Sequence, residues 1–168
     1  CSEQSASDVG APVTWTIVKS SPKRDEMSLV TVDTENDINF QVFNGTTESW
    51  GSVTELTDTT ESSNQRPAFV EYEQLSGDAL IVYEDYHLDD TNIAYRIYDG
   101  SSLGAEQSLD TGLASSAIRW VRMYPRASTD QIMVLILSKD QDIHAHFWNG
   151  TDFDSWILLG KELVTMDW

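Results

Sequence analysis

The chain has 168 residues, with 10 Lys and Arg against 28 Asp and Glu and a formal net charge of −18. That balance argues against a nucleic-acid partner, because affinity for a polyanion rests on clustered basic side chains, and against a bare anionic membrane surface. Hydrophobic residues at 40% and aromatics at 10% suffice for a buried core, while the longest apolar run, Ile132 to Leu137, is far short of the roughly 20 residues of a spanning helix.

From the N-terminus, the lone cysteine is Cys1, so no internal disulfide is available. Residues 1–11 are polar and aperiodic and are read as a flexible tether. A leading Cys before such a stretch resembles a mature bacterial lipoprotein, in which an acylated Cys anchors the domain; the alternative is an arbitrary boundary. Ser and Thr number 34 against four Lys, a bias that suits a secreted or surface protein, or a salt-adapted one. The expected location is extracellular or at the cell surface, with membrane contact only through a lipid on Cys1.

The remainder repeats itself. The first unit carries apolar segments at 13–18, 27–32, 37–45 and 51–56. The second carries them at 68–72, 79–83, 92–100 and 105–109, and the third at 120–124, 132–137, 142–150 and 156–159. The third segments end in Asn44-Gly45, Asp99-Gly100 and Asn149-Gly150, whose glycines stand 55 and 50 residues apart. Within them Ile38, Phe40 and Val42 alternate with Asn39 and Gln41, the period-2 pattern of a strand. The Asn/Asp-Gly pairs suit tight type I′ hairpins. Four short strands per repeat of roughly 50 residues indicates an all-β fold of β-propeller-type blades. The repeats are set at about 12–64, 65–117 and 118–168. Val164–Trp168 falls where a fourth repeat would begin, so the chain is read either as part of a longer propeller or as a homo-oligomer that closes a ring between copies. An open wedge of three blades is expected to expose apolar end faces.

Asp142-Ile143-His144-Ala145-His146-Phe147-Trp148-Asn149-Gly150-Thr151, followed by Trp156-Ile157-Leu158-Leu159-Gly160, resembles the repeat of bacterial seven-bladed fucose-binding lectins. It is also similar to propeller repeats of secreted and surface-anchored microbial proteins. The resemblance implies a propeller and a carbohydrate ligand held between adjacent blades by aromatic and polar groups.

Arg119, Arg122 and Arg126, interleaved with Trp120 and Tyr124 on a predicted inner strand, form the basic concentration of the chain; Arg119, Trp120, Arg122 and Tyr124 are the candidate ligand residues among them. Such groups can hold a carboxylate or stack on a sugar, although ion pairing with the acid surplus is the simpler expectation. With Trp148 they make up the candidate ligand-binding set. The acidic loops containing Asp33, Asp37, Asp140 and Asp142 offer hard oxygen ligands for Ca²⁺, but none matches the EF-hand pattern; solvated loops are the alternative. No other cofactor is implied. His144 and His146 share a strand face, a metal-like spacing that needs a third ligand such as His87; a polar blade face is the simpler reading. Asn44 and Asn149 begin glycosylation sequons at positions where the turn already demands Asn-Gly.

No Asp-box, nucleophile elbow, phosphate loop or dinucleotide fingerprint is present. The expected function is a non-enzymatic binding or adhesion module with carbohydrate as ligand. The alternatives are a structural subunit that assembles through blade edges, then a glycosidase-like enzyme.

Overall fold

The computed structural model describes residues 4–61, 65–88, 92–112 and 118–160. Among them the regular structure is all strand: β1 (Val13–Ser20), β2 (Glu26–Asp33), β3 (Ile38–Asn44), β4 (Ser49–Trp50), β5 (Thr54–Thr57), β6 (Ala68–Tyr72), β7 (Ala79–Tyr83), β8 (Asn92–Tyr98), β9 (Gln107–Asp110), β10 (Ile118–Pro125), β11 (Ile132–Ser138), β12 (Ile143–Trp148) and β13 (Ile157–Gly160). They form three separate antiparallel meanders, which are the blades of a partial, open propeller-like fold. Blade 1 runs β1-β2-β3, with its outer position shared by β4 and β5, both paired to β3. Blade 2 is β6-β7-β8-β9 and blade 3 is β10-β11-β12-β13. Cys1, Asp89, Asp90 and Val164–Trp168 lie outside the described residues.

The core lies between blades. Val30, Val32, Ile38 and Phe40 of blade 1 meet Val70, Tyr72, Ile81 and Tyr83 of blade 2. On the other face of blade 2, Phe69, Leu80, Val82, Ile93 and Tyr95 meet Val121, Met123, Val134, Ile136 and Trp148 of blade 3. This is why every residue of β7 is buried and why its sequence shows no alternation. Polar clasps cross both junctions at one rim. Arg24 binds Glu26 within blade 1 and donates to the Gly77 carbonyl of blade 2 at 2.5 Å. Asp130 of blade 3 accepts the backbone N–H groups of Leu75 and Ser76 at 2.8 and 2.9 Å.

The turns differ from the type I′ expectation. Asn149 and Asp99 each open a four-residue loop in which the side-chain oxygen accepts two backbone N–H groups, from Thr151 and Asp152 and from Ser101 and Ser102. Only the glycine that follows takes positive φ, 90° at Gly100 and 103° at Gly150. The local side-chain acceptor thus substitutes for the tighter backbone turn.

The two ends of the wedge are unlike. Blade 1 turns Thr16, Thr31, Asn39 and Gln41 away from blade 2, together with Val18, Met27, Leu29 and Phe43, as the cross-strand register dictates. Ser7, within the segment read as a tether, docks there: its N–H donates to Gln41 Oε1 at 2.8 Å, its carbonyl accepts from Gln41 Nε2 at 3.0 Å, and its hydroxyl donates to the Gly51 carbonyl. Blade 3 instead turns Met133, Leu135, Leu137 and Phe147 outward. Its outer strand is exposed and apolar, with Leu159 at 57%. The expectation of apolar ends is met most fully at blade 3, while the blade 1 end mixes Val18, Met27, Leu29 and Phe43 with polar side chains and the docked Ser7.

Candidate functional site

Two places among the described residues are candidate ligand sites; of the predicted ligand residues Trp120 and Arg122 fall at the first, Trp148 in the core, and Arg119 and Tyr124 on the surface. β1 and β10 each carry a bulge, immediately followed by Trp15 and Trp120. Just ahead of β6, Arg66 pairs with β10: its N–H donates to the Arg119 carbonyl and its carbonyl accepts from Val121, both at 3.1 Å. These contacts converge the inner strands. The Arg66 guanidinium lies 4.5 Å from the Trp15 ring centre and that of Arg122 lies 5.6 Å from it. Arg122 also stands 5.3 Å from Phe69 and 5.2 Å from Trp120.

The expected ion pairing of this group is not seen among the described residues. Among the described residues no carboxylate lies within 4.0 Å of Arg66, Arg119 or Arg122. The inner strands β1, β6 and β10 contain a single acidic residue, Glu71, and Lys19 holds it at 2.5 Å. Ring faces take the place of carboxylates, a contact worth about 0.5–2 kcal/mol per cation. The Trp15 Nε1 is buried and has no hydrogen-bond partner among the described residues.

Trp120 and Arg122 thus belong to one cluster, while the other predicted ligand residues do not join it. Arg119 is exposed and stands near Lys139, whose charge it opposes. Tyr124 is 51% exposed on the outer face of blade 3, opposite Met133. Trp148 requires a correction: it is 3% exposed and its Nε1 donates to the buried Glu73 carboxylate at 2.5 Å. Tyr95 and Phe153 pack on its ring at 5.9 and 5.1 Å. A side chain that fills a junction and spends its only donor there has nothing left for a ligand.

The second place is a cleft of about 290 Å³ between blades 1 and 2, lined by Phe40, Gln41, Gly51, Tyr98, Ser102 and Leu103 among others. Its origin is visible by comparing the junctions. At the loop end of blade 3, Trp148 bridges to Phe153, and both rings pack on Tyr95 of blade 2. At the corresponding end of blade 2, Tyr98 bridges to Leu103 and faces Phe40 of blade 1, with rings 5.7 Å apart and tilted by 59°. Replacing Trp and Phe by Tyr and Leu removes the volume that fills the other junction. The cleft falls at the lower edge of the roughly 300–1,000 Å³ typical of ligand pockets, a size for one small ring. Its lining combines the half-buried Tyr98 ring with the hydroxyl groups of Ser52, Ser101 and Ser102. Nothing in the periodicity pointed to it; the signal was the repeat-to-repeat change from Trp148 and Phe153 to Tyr98 and Leu103.

The candidate calcium ligands are spread over different blades. The Asp33 carboxylate accepts the N–H groups of Glu35 and Asp37 at 3.0 and 3.2 Å and the Asn39 amide at 3.3 Å, so it shapes its own loop. Asp140 and Asp142 lie in the β11–β12 loop of blade 3. No group of three or more His, Cys, Asp or Glu that could hold a metal is gathered among the described residues. The histidines do not converge either. His87 pairs with Asp58 at 2.9 Å, while the His144 Nδ1 meets the Thr111 carbonyl at 2.7 Å and its ring stacks on Trp156. His146 is fully buried, and burial with the neighbouring His144 pushes its pKa down to about 4. It is therefore neutral at pH 7.

One buried acid stands out electrostatically. Glu84, in the loop after β7, accepts the Ile118 N–H at 2.7 Å and the Glu61 N–H at 3.2 Å, tying all three blades together. Burial pushes its pKa up to about 7 against these two donors.

No family model matches the chain, and no curated protein matches it. Among solved structures, the BP39L lectin from Burkholderia pseudomallei is similar in fold, with a TM-score of 0.63 at 9% sequence identity. The match covers 86% of this chain and 41% of the lectin, so the chain spans less than half of that protein's length.

Proposed function

We propose that the chain is a non-enzymatic carbohydrate-binding module that works outside the cell or on its surface, with the cleft between blades 1 and 2 as its sugar site. The observation that carries this reading is the unfilled junction. Tyr98 and Leu103 leave about 290 Å³ open where Trp148 and Phe153 close the equivalent space. The half-buried Tyr98 offers a ring face to sugar C–H groups over the Phe40 edge of the core, and Ser52, Ser101 and Ser102 offer hydroxyl groups. The fold likeness to a lectin agrees with the reading.

A glycan array followed by NMR titration of the best neutral sugar tests it. Leu103→Phe copies the filled junction and is expected to abolish that binding with little change in stability. An array without a binder, or a Leu103→Phe variant that binds as wild type does, refutes the cleft as a sugar site.

A second reading, assembly through a blade face, is favoured by the asymmetry of the ends. The outward side of blade 3 presents Met133, Leu135, Leu137 and Phe147, and nothing among the described residues covers it. The corresponding side of blade 2 is buried by blade 3. A further blade, from this protein or a second copy, would continue the same packing. Head-to-tail closure would set this apolar face against the blade 1 end, where apolar and polar side chains are mixed and Ser7 is docked. Light scattering is expected to show a dimer that Leu135→Glu dissociates; a wild-type monomer at micromolar concentration removes the reading for this chain.

A further inference from the structure

The structure assigns Arg66, Arg122 and Trp15 to a second site, one that receives the carboxylate of an acidic sugar; the sugar part rests on the carbohydrate reading above. The argument begins with charge. In a chain of net charge −18, two guanidiniums lie against the same indole, 4.5 and 5.6 Å from its centre, with no carboxylate within 4.0 Å among the described residues. Like charges brought together are unfavourable, and the acid surplus that could compensate them is placed elsewhere. Glu71, the single acid of the inner strands, is already held by Lys19.

The donor inventory then selects the ligand. Each guanidinium carries five N–H donors and no acceptor, and an indole carries one N–H and no acceptor. The Trp15 Nε1 is buried without a partner among the described residues, and an unmet buried donor is unfavourable. A site made of donors takes an acceptor-only group, and a planar carboxylate matches the guanidinium fork. The half-buried rings of Trp15 and Trp120 border the same spot and supply the apolar faces on which a sugar ring packs. The inner strands of all three blades contribute, β1 through Trp15, the approach to β6 through Arg66, and β10 through Arg122. The site therefore exists only when the blades are assembled.

The test is an NMR titration read at the Trp15 indole N–H, assigned with Trp15→Phe, using sodium glucuronate, the neutral glucuronamide, glucose and sodium sulfate as probes. Glucuronate is expected to shift that resonance, and glucuronamide to bind at least tenfold more weakly. Arg66→Gln and Arg122→Gln are each expected to weaken glucuronate at least tenfold, while Leu103→Phe leaves it unchanged. Equal binding of glucuronate and glucuronamide overturns the site. Sulfate binding as tightly as glucuronate overturns the acidic-sugar assignment in favour of a bare oxyanion site. Glucose shifts confined to Tyr98 and Phe40, with no glucuronate shift at Trp15, overturn this site and leave the cleft reading standing. Should the Gln variants melt early, the wild-type comparison of glucuronate with glucuronamide decides the matter alone.

Discussion

Glu84 makes the stability of the three-blade assembly depend on pH in a direction opposite to the usual carboxylate. Its side chain is 4% exposed and receives hydrogen bonds from Ile118 of blade 3 and Glu61 at the end of blade 1. Burial nevertheless dominates and lifts its pKa from 4.5 to about 7. A folded pKa above the unfolded value means that the folded state binds the proton more tightly. The stability from this group is fully present below pH 4.5 and is lost as pH rises through about 7. Each tenfold difference in proton affinity between the two states is worth about 1.36 kcal/mol, so the loss approaches about 3 kcal/mol. Urea denaturation of wild type and Glu84→Gln across pH 4 to 8 isolates it, because the other carboxylates are common to both. The stability difference between the two proteins is expected to move by about 3 kcal/mol in favour of the variant from pH 4 to pH 8. Parallel curves, with a difference independent of pH, refute the reasoning.

Trp148→Ala is expected to cost about 3–5 kcal/mol, since it empties the blade 2–3 junction. Trp148→Phe is expected to cost about 1–3 kcal/mol by removing one of the Glu73 donors; chemical denaturation measures both. Gly150→Ala places a side chain at φ 103°, with its Cβ 3.1 Å from that of Asp130. The melting temperature is expected to fall by an amount equivalent to about 1–2 kcal/mol. Arg24→Ala removes the link to Gly77 and Asp78, and hydrogen exchange is expected to quicken at 74–78 before it does in β7.

The strands were legible because their signal is local. Alternation along β3 and the apolar runs of β7 and β11 follow from which faces are covered, and the recurrence of Asn/Asp-Gly marks the ends of the third strands. The candidate sites were legible only in part. Trp120 and Arg122 could be singled out as a basic-aromatic pair. Their neighbours Trp15 and Arg66 come from positions 105 and 56 residues earlier than Trp120 and Arg122, and only the packing of three inner strands brings them together. Trp148 failed as a ligand residue for the complementary reason: an aromatic at the end of a strand reads the same whether it lines a cleft or fills one.

By itself the sequence determined an acidic, all-β chain of three blade-like repeats. The tertiary structure decided which blade junction stays open, which end of the wedge is the more apolar, and that Arg66 and Arg122 lie on rings. The physical reason is that a strand's covering pattern is written in its own residues, whereas the space between two blades depends on the combined volume and charge of side chains contributed by both. The −18 charge shows the distinction. Its sum is read from the sequence, but its distribution leaves the inner strands with one acid, already paired, near Arg66 and Arg122, which have no carboxylate within 4.0 Å among the described residues.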